Sequence, residues 1–134
     1  MSAATALLLV AVAGGLGAAA RFVVDGAVRA RTPCAAFPWA TVVVNVSGSL
    51  VIGLVTGVLL GAGDPASLEP WRIGVATGFC GGYTTFSTAM VEAVRLARSG
   101  RRRLAVANAL GTMALTLIAV VVGIGLGVLV GRLL

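Results

Sequence analysis

The chain has no histidine, no lysine and a single tyrosine among its 134 residues. Its acids are limited to Asp25, Asp64, Glu69 and Glu92. All four fall in or beside the connections between hydrophobic runs. General acid–base or metal chemistry inside the fold therefore has almost no groups to use, and an enzyme is set aside. Cys34 and Cys80 are far apart and make no metal-ligand spacing, so packing rather than redox chemistry is their expected role. Charge is scarce as well: 10% of residues are charged, where soluble domains carry about a quarter. With 59% hydrophobic residues and a mean hydropathy of +1.08, the composition is that of an integral membrane protein.

Four runs lack charge altogether: 3–20, 37–63, 73–91 and 104–131. Each reaches the roughly 18–20 residues that carry a helix across a bilayer. No positive segment precedes the first run, which reads as a retained span rather than a cleaved signal. The expectation is a single all-α membrane domain over 1–134, with four transmembrane helices at about 3–24, 38–61, 71–96 and 103–132 and both termini on one side. Trp39 and Trp71 stand at span ends as interfacial anchors.

Glycine recurs at four-residue spacing in Gly53, Gly57 and Gly61, in Gly74, Gly78 and Gly82, and in Gly123, Gly127 and Gly131. Such stripes let membrane helices approach closely. The stretch GFCGGYTTFSTAM at 78–90 is different, because two glycines and two β-branched threonines together weaken a helix at mid-membrane. A break around residues 81–85 would free backbone carbonyls, tolerated in a membrane only where protein or a cavity satisfies them. Freed carbonyls are hard oxygen ligands that suit a small cation.

Polar side chains at membrane depth are costly and tend to face a bundle interior or an aqueous path. Thr41, Asn45 and Ser49 share one helix face, as do Asn108, Thr112 and Thr116. Taken singly, a membrane serine or threonine usually bonds its own preceding carbonyl; two asparagine-headed ladders are harder to dismiss. With Phe86, whose ring edge is positive, and Arg21 near a helix end, they describe a path for a small, strongly hydrated anion.

Three stretches together resemble the Fluc (CrcB) family of fluoride channels: G-x-x-x-R-F at 17–22, T-x-x-x-N-x-x-G at 41–48 and GFCGGYTTFST at 78–88. The resemblance implies a four-helix membrane protein with its third helix broken, assembled as an antiparallel dual-topology dimer in the cell (inner) membrane. It implies passive export of fluoride from the cytoplasm, relieving the toxicity of the trapped anion, around a structural sodium ion that is not transported. It places Asn45 and Phe86 on the fluoride path with Thr41 and Ser87 nearby, Asn108, Thr112 and Thr116 on a polar track, and Arg21 at the entrance. Asn108 stands where some members carry tyrosine. Gly81 and Thr84 would offer backbone carbonyls to sodium.

Where the family usually reads FSTF, this chain has Ala89. The arginines are also unbalanced. Arg29, Arg31, Arg95, Arg98, Arg101, Arg102 and Arg103 fall on the side of the first and third connections, and only Arg72 and Arg132 on the other. That asymmetry predicts one orientation, with the arginine-rich side cytoplasmic. An antiparallel dimer would then need a paralogous subunit of opposite bias. The alternatives are a non-conducting partner subunit of a heterodimeric channel, and a small multidrug-type exporter. The exporter would need a carboxylate in the first span, and none is there.

Overall fold

The computed structural model of the chain describes residues 1–62 and 65–133, and all their regular structure is helical. Helix α1 (Ala3–Arg31) opens at Ser2, whose hydroxyl accepts from the Thr5 amide at 3.2 Å. The first span, expected to close near residue 24, lies inside a helix that runs on to Arg31. Basic residues favour a helix C-terminus, and Arg29 and Arg31 occupy the last turn. Arg29 also pairs with Asp25 one turn back, and Arg31 donates to the Ala27 carbonyl at 3.1 Å. Helix α2 (Trp39–Gly61) follows a short connection. The expected turn at 61–65, with Asp64, lies partly outside the described residues.

The third hydrophobic run is not one helix. A 3-10 turn (Pro65–Leu68) leads into α3 (Glu69–Trp71), a π-helix (Arg72–Phe79) and α4 (Cys80–Tyr83). Two extended residues, Thr84 and Thr85, separate α4 from α5 (Phe86–Arg98). Helix α5 ends at Gly100, whose φ of +81° is the left-handed conformation that glycine adopts without strain. There the Arg101 amide bonds the Leu96 carbonyl and the Gly100 amide the Ala97 carbonyl, which closes the helix in a Schellman turn. Helix α6 (Arg102–Gly131) completes the chain. Three helices, α1, α2 and α6, are each long and apolar enough to cross a membrane alone.

Two glycine seams order these helices. Along the first, α2 and α6 run in the same direction. A Cβ at Gly57 would strike the Ile124 carbonyl and come 2.9 Å from the Gly127 Cα. A Cβ at Gly61 would strike Val128 and Gly131 backbone, and one at Gly53 the backbone of Val120 and Gly123. Along the second seam, α1 runs beside the π-helix and α4, again in the same direction. Gly17 lies on the Phe79 carbonyl, Gly78 on the Ala13 side chain and Gly82 on the Gly14 backbone. The glycine stripes are thus spent on backbone contact, as small residues are in membrane interfaces. The remaining faces are apolar and uncovered. Gly17 is the only buried residue of α1, while Leu7, Leu8, Val12 and Leu16 are exposed. Outward faces of this kind are solvated by lipid or by another chain.

Filling a seam should therefore damage the fold. Gly57→Leu is expected to lower thermal stability in detergent and to reduce recovery of monodisperse protein, since overpacking costs about 1–3 kcal/mol or more. Gly125→Ala, which meets only open space, should leave both unchanged. Size-exclusion profiles and melting curves of the two variants check this.

Candidate functional site

The interruption in the third segment is made by its threonines. Gly81 and Gly82, expected within the break, are both helical in α4. Gly82 is needed for the contact with Gly14, and Gly81 faces open space. Thr84 (φ −77°, ψ 160°) and Thr85 (φ −150°, ψ 112°) are extended, a conformation that β-branched side chains favour. Thr85 then caps α5: its hydroxyl accepts from the Thr88 amide at 3.3 Å.

Breaking a helix orphans backbone groups, and unpaired ones are expensive away from water. Here neighbouring helices supply partners. Asn45 of α2 makes a two-point bond to Thr85: its Oδ1 accepts from the Thr85 amide at 2.7 Å, and its Nδ2 donates to the Thr85 carbonyl at 2.9 Å. Arg21 of α1 donates from Nη1 to the Thr84 carbonyl at 3.3 Å. Tyr83, the last residue of α4, is buried, and its hydroxyl lies 3.0 Å from Ser47 Oγ of α2.

Two cavities flank the brace. A groove of about 480 Å³ runs between α2, α5 and α6, lined by Asn45, Ser49, Phe86, Ala89, Thr112 and Thr116. Phe86 is 77% exposed, so its ring stands free at the groove edge. On the other side of Thr85, a cavity of about 200 Å³ is lined by Arg21, Asp25, Arg29, Thr41, Thr85 and Thr88. The Thr41 hydroxyl is buried there and, among the described residues, has no hydrogen-bond partner. Most membrane hydroxyls bond their own helix, as Ser47, Thr56 and Thr116 do. Thr41 does not.

The expected site residues thus separate. Asn45, Phe86, Thr112 and Thr116 share the groove, and Arg21 and Thr41 share the smaller cavity. Asn108 is fully buried behind the groove wall. Its Nδ2 donates to the Ala89 carbonyl at 3.1 Å, and its Oδ1 accepts from Thr112 at 3.4 Å, so it holds α5 against α6. Ser87 is exposed near the Thr85 hydroxyl, at 3.5 Å, and does not line the groove. Thr85 and Thr88 touch the small cavity and were not singled out; a hydroxyl cap three residues before a second hydroxyl is the signal that marks them. Among the described residues no three histidine, cysteine or acidic side chains cluster as metal ligands. Oxygen ligands at this site would be backbone carbonyls.

A family model described as "CrcB-like protein, Camphor Resistance (CrcB)" matches residues 8–124. The chain belongs to the CrcB family. It is 52% identical to "Fluoride-specific ion channel FluC 1" of Leifsonia xyli subsp. xyli, over 90% of this chain and 85% of that protein. It is 42% identical to "Fluoride-specific ion channel FluC 2" of Cutibacterium acnes, over 90% and 96%. A third CrcB relative, "Fluoride-specific ion channel FluC" of Syntrophotalea carbinolica, is 43% identical over 94% and 97%. Family membership and the three long apolar helices together make this a multi-pass membrane protein.

The double bond of Asn45 changes what its replacement should do. In Asn45→Leu the Thr85 amide and carbonyl both lose their partner, at about 1–3 kcal/mol for each group left buried. The variant is expected to unfold at lower temperature than the parent in detergent. Asn45→Asp, which can still accept from the Thr85 amide, should lose less. Equal melting temperatures for the parent and both variants would show that the brace contributes nothing.

Proposed function

We propose that the chain is a subunit of a fluoride-selective channel that releases fluoride from the cytoplasm down its gradient, and not an enzyme. The observation that carries this reading is the threonine break held by Asn45 and Arg21, with a cavity on either side into which a few polar side chains are set. It is supported by the relatives' names. In this reading the composite segment 71–96 is the fourth span, and two chains pack antiparallel through their uncovered faces. Fluoride holds its water tightly, so a path needs donors at close intervals. Thr112 and Thr116 line the groove, and their hydroxyls, which donate to Asn108 Oδ1 and the Met113 carbonyl, would have to turn from those partners to donate to the ion. Asn45 spends one N–H on Thr85 and retains a second to offer. Phe86 presents a free ring edge, and the unpartnered Thr41 hydroxyl beside Arg21 gives a donor next to a fixed positive charge. Among the described residues no acid lines the groove to repel an anion. Asn108 supports this path from behind, and Ser87 is available at the exposed rim.

Sodium fits the donor chemistry of the break. The last carbonyls of a helix lack intrahelical partners, and Gly81 and Thr84 lie at the end of α4. Both are hard oxygen donors, and the space beside Gly81 is open. A single chain offers too few such oxygens for the six or so a hard cation prefers, so the site would call for a second copy. A bound sodium would supply a fixed positive charge against the negative C-terminal end of α4 in each of the two copies. Arg21, already on the Thr84 carbonyl, would add to that positive field.

A second reading is favoured at Ala89. This residue is buried at 3% exposure beside the groove, and its carbonyl receives Asn108. With no second ring there, one face of the path is apolar and small. Together with the one-sided arginines, this supports pairing with a paralogous subunit of opposite orientation, in which this chain completes one path only.

In proteoliposomes the assembled protein should release fluoride without a proton gradient and leave chloride trapped. Replacing sodium by a large organic cation should lower fluoride flux. Equal fluoride and chloride release would reject the channel reading. If the purified chain alone conducts fully, the paired-subunit reading fails and the homodimer stands.

A further inference from the structure

The first and third connections meet at one end of the bundle, around a cavity of about 370 Å³. Its lining includes Arg29, Phe37, Trp39, Glu92 and Arg95. The acids at this end are spent on one arginine: Arg29 bonds Asp25 at 2.6 Å and Glu92 at 3.3 Å. Arg95, Arg98, Arg101, Arg102 and Arg103 are all exposed, and among the described residues none of them has an ion pair. The Schellman turn at Gly100 folds the chain back on itself. It holds Arg95 and Arg98 beside Arg101, Arg102 and Arg103 on a fixed corner rather than a loose loop.

Further features lie at the same end. Helix α2 begins at Pro38 with no side-chain cap, so its positive end opens on the cavity that Trp39 and Ala40 line. Trp39 is 49% exposed and packs on Phe37, with ring centroids 4.8 Å apart. Directly before the arginines, Val91 and Val94 of α5 are exposed apolar surface. The arrangement is amphiphilic: exposed guanidinium groups, of which Arg95 lines one cavity with the Trp39 indole, and uncovered aliphatic side chains one turn before them. Guanidinium binds phosphate oxygens in pairs. A free phosphate would use the arginines alone, whereas a phospholipid uses both layers.

We propose that this end of the protein, built from Trp39, Arg95, Arg98 and Arg101, is a binding site for the phosphodiester headgroup of an anionic phospholipid, its acyl chains lying along Val91 and Val94. The site is separate from the ion path and stands whether or not the channel reading does. It gives the arginine cluster a lasting role in the assembled protein, beyond setting orientation during insertion. Basic side chains next to a membrane helix recruit anionic lipid in this way.

The test uses Trp39 as reporter in a Trp71→Phe background, which leaves it the only tryptophan. The protein is reconstituted into mixtures of phosphatidylcholine and phosphatidylglycerol, with bromine on the acyl chains of one or the other. Brominated phosphatidylglycerol should quench Trp39 more strongly than its mole fraction explains, and brominated phosphatidylcholine less. Replacing Arg95, Arg98 and Arg101 together by glutamine should lower the preference by on the order of tenfold or more. Equal quenching by the two lipids, or a preference unchanged in the triple variant, would overturn the proposal. So would full competition by millimolar inorganic phosphate, which would make a soluble anion the ligand. If the triple variant does not reconstitute, salt titration of the parent decides. The preference should fall as salt rises, and insensitivity to salt would overturn the site.

Discussion

Everything at the centre of this protein depends on one side-chain amide taking the place of two backbone groups. Asn45 meets the Thr85 amide and carbonyl as a neighbouring peptide would in a helix or sheet. Without it, the extended pair Thr84–Thr85 would carry unpaired polar groups at a depth where water is absent. With it, α5 can start afresh, pointing Phe86 outward and turning Ala89 inward against Asn108. The second asparagine repeats the device one helix away, giving its Nδ2 to a carbonyl of α5. Both asparagines thus hold the broken segment in place, one from each partner of the α2–α6 seam. A polar ladder in a membrane helix is commonly read as a ligand path. Here its first duty is to the backbone, and only the unspent donors are left over for an ion.

Much of this was legible in the residues. The uncharged runs located α1, α2 and α6, and the glycine stripes marked the close-packing faces of α2, α6 and the third segment, though not Gly14 and Gly17 on the α1 side. The alternation of chain direction followed from four runs with short connections. The break lies within the expected stretch 81–85, but at its threonines alone, although glycine and threonine were both expected to weaken the helix. In the folded chain Gly82 is needed for contact with Gly14, and the threonines carry the break. That distinction requires knowing which backbone lies opposite, and a single sequence does not carry it. The π-helix at Arg72–Phe79 left no compositional mark either. The face shared by Thr41, Asn45 and Ser49 was correct as periodicity. The Thr85 brace nevertheless divides it, sending Thr41 to one cavity and Ser49 to the other.

Charge is distributed by the same economy. The few acids are not scattered as solubilising groups. Asp25 and Glu92 both engage Arg29, tying the end of α1 to α5. Glu69 pairs with Arg72 at 2.6 Å at the start of the third segment. That pair is solvent-exposed, and such pairs contribute little to stability. Its carboxyl is nonetheless held below the ordinary glutamate range by the Arg72 guanidinium. What remains is an excess of arginine on one end, fixed in place by a glycine turn.

The seam between α1 and the third segment also sets an order of events during synthesis. Gly17 is made about 60 residues before Phe79, the residue whose carbonyl it covers. At the roughly 5–20 residues per second of translation, α1 waits several seconds in the membrane with its glycine face bare. Helix α2 runs the opposite way, and its glycines wait longer still, since Gly57 is made about 67 residues before Ile124. During that interval the glycine faces of α1 and α2 both stay open to any passing helix with a small-residue stripe. Both seams therefore close late, and the correct neighbour of α1 arrives only when the segment bearing the break has been made.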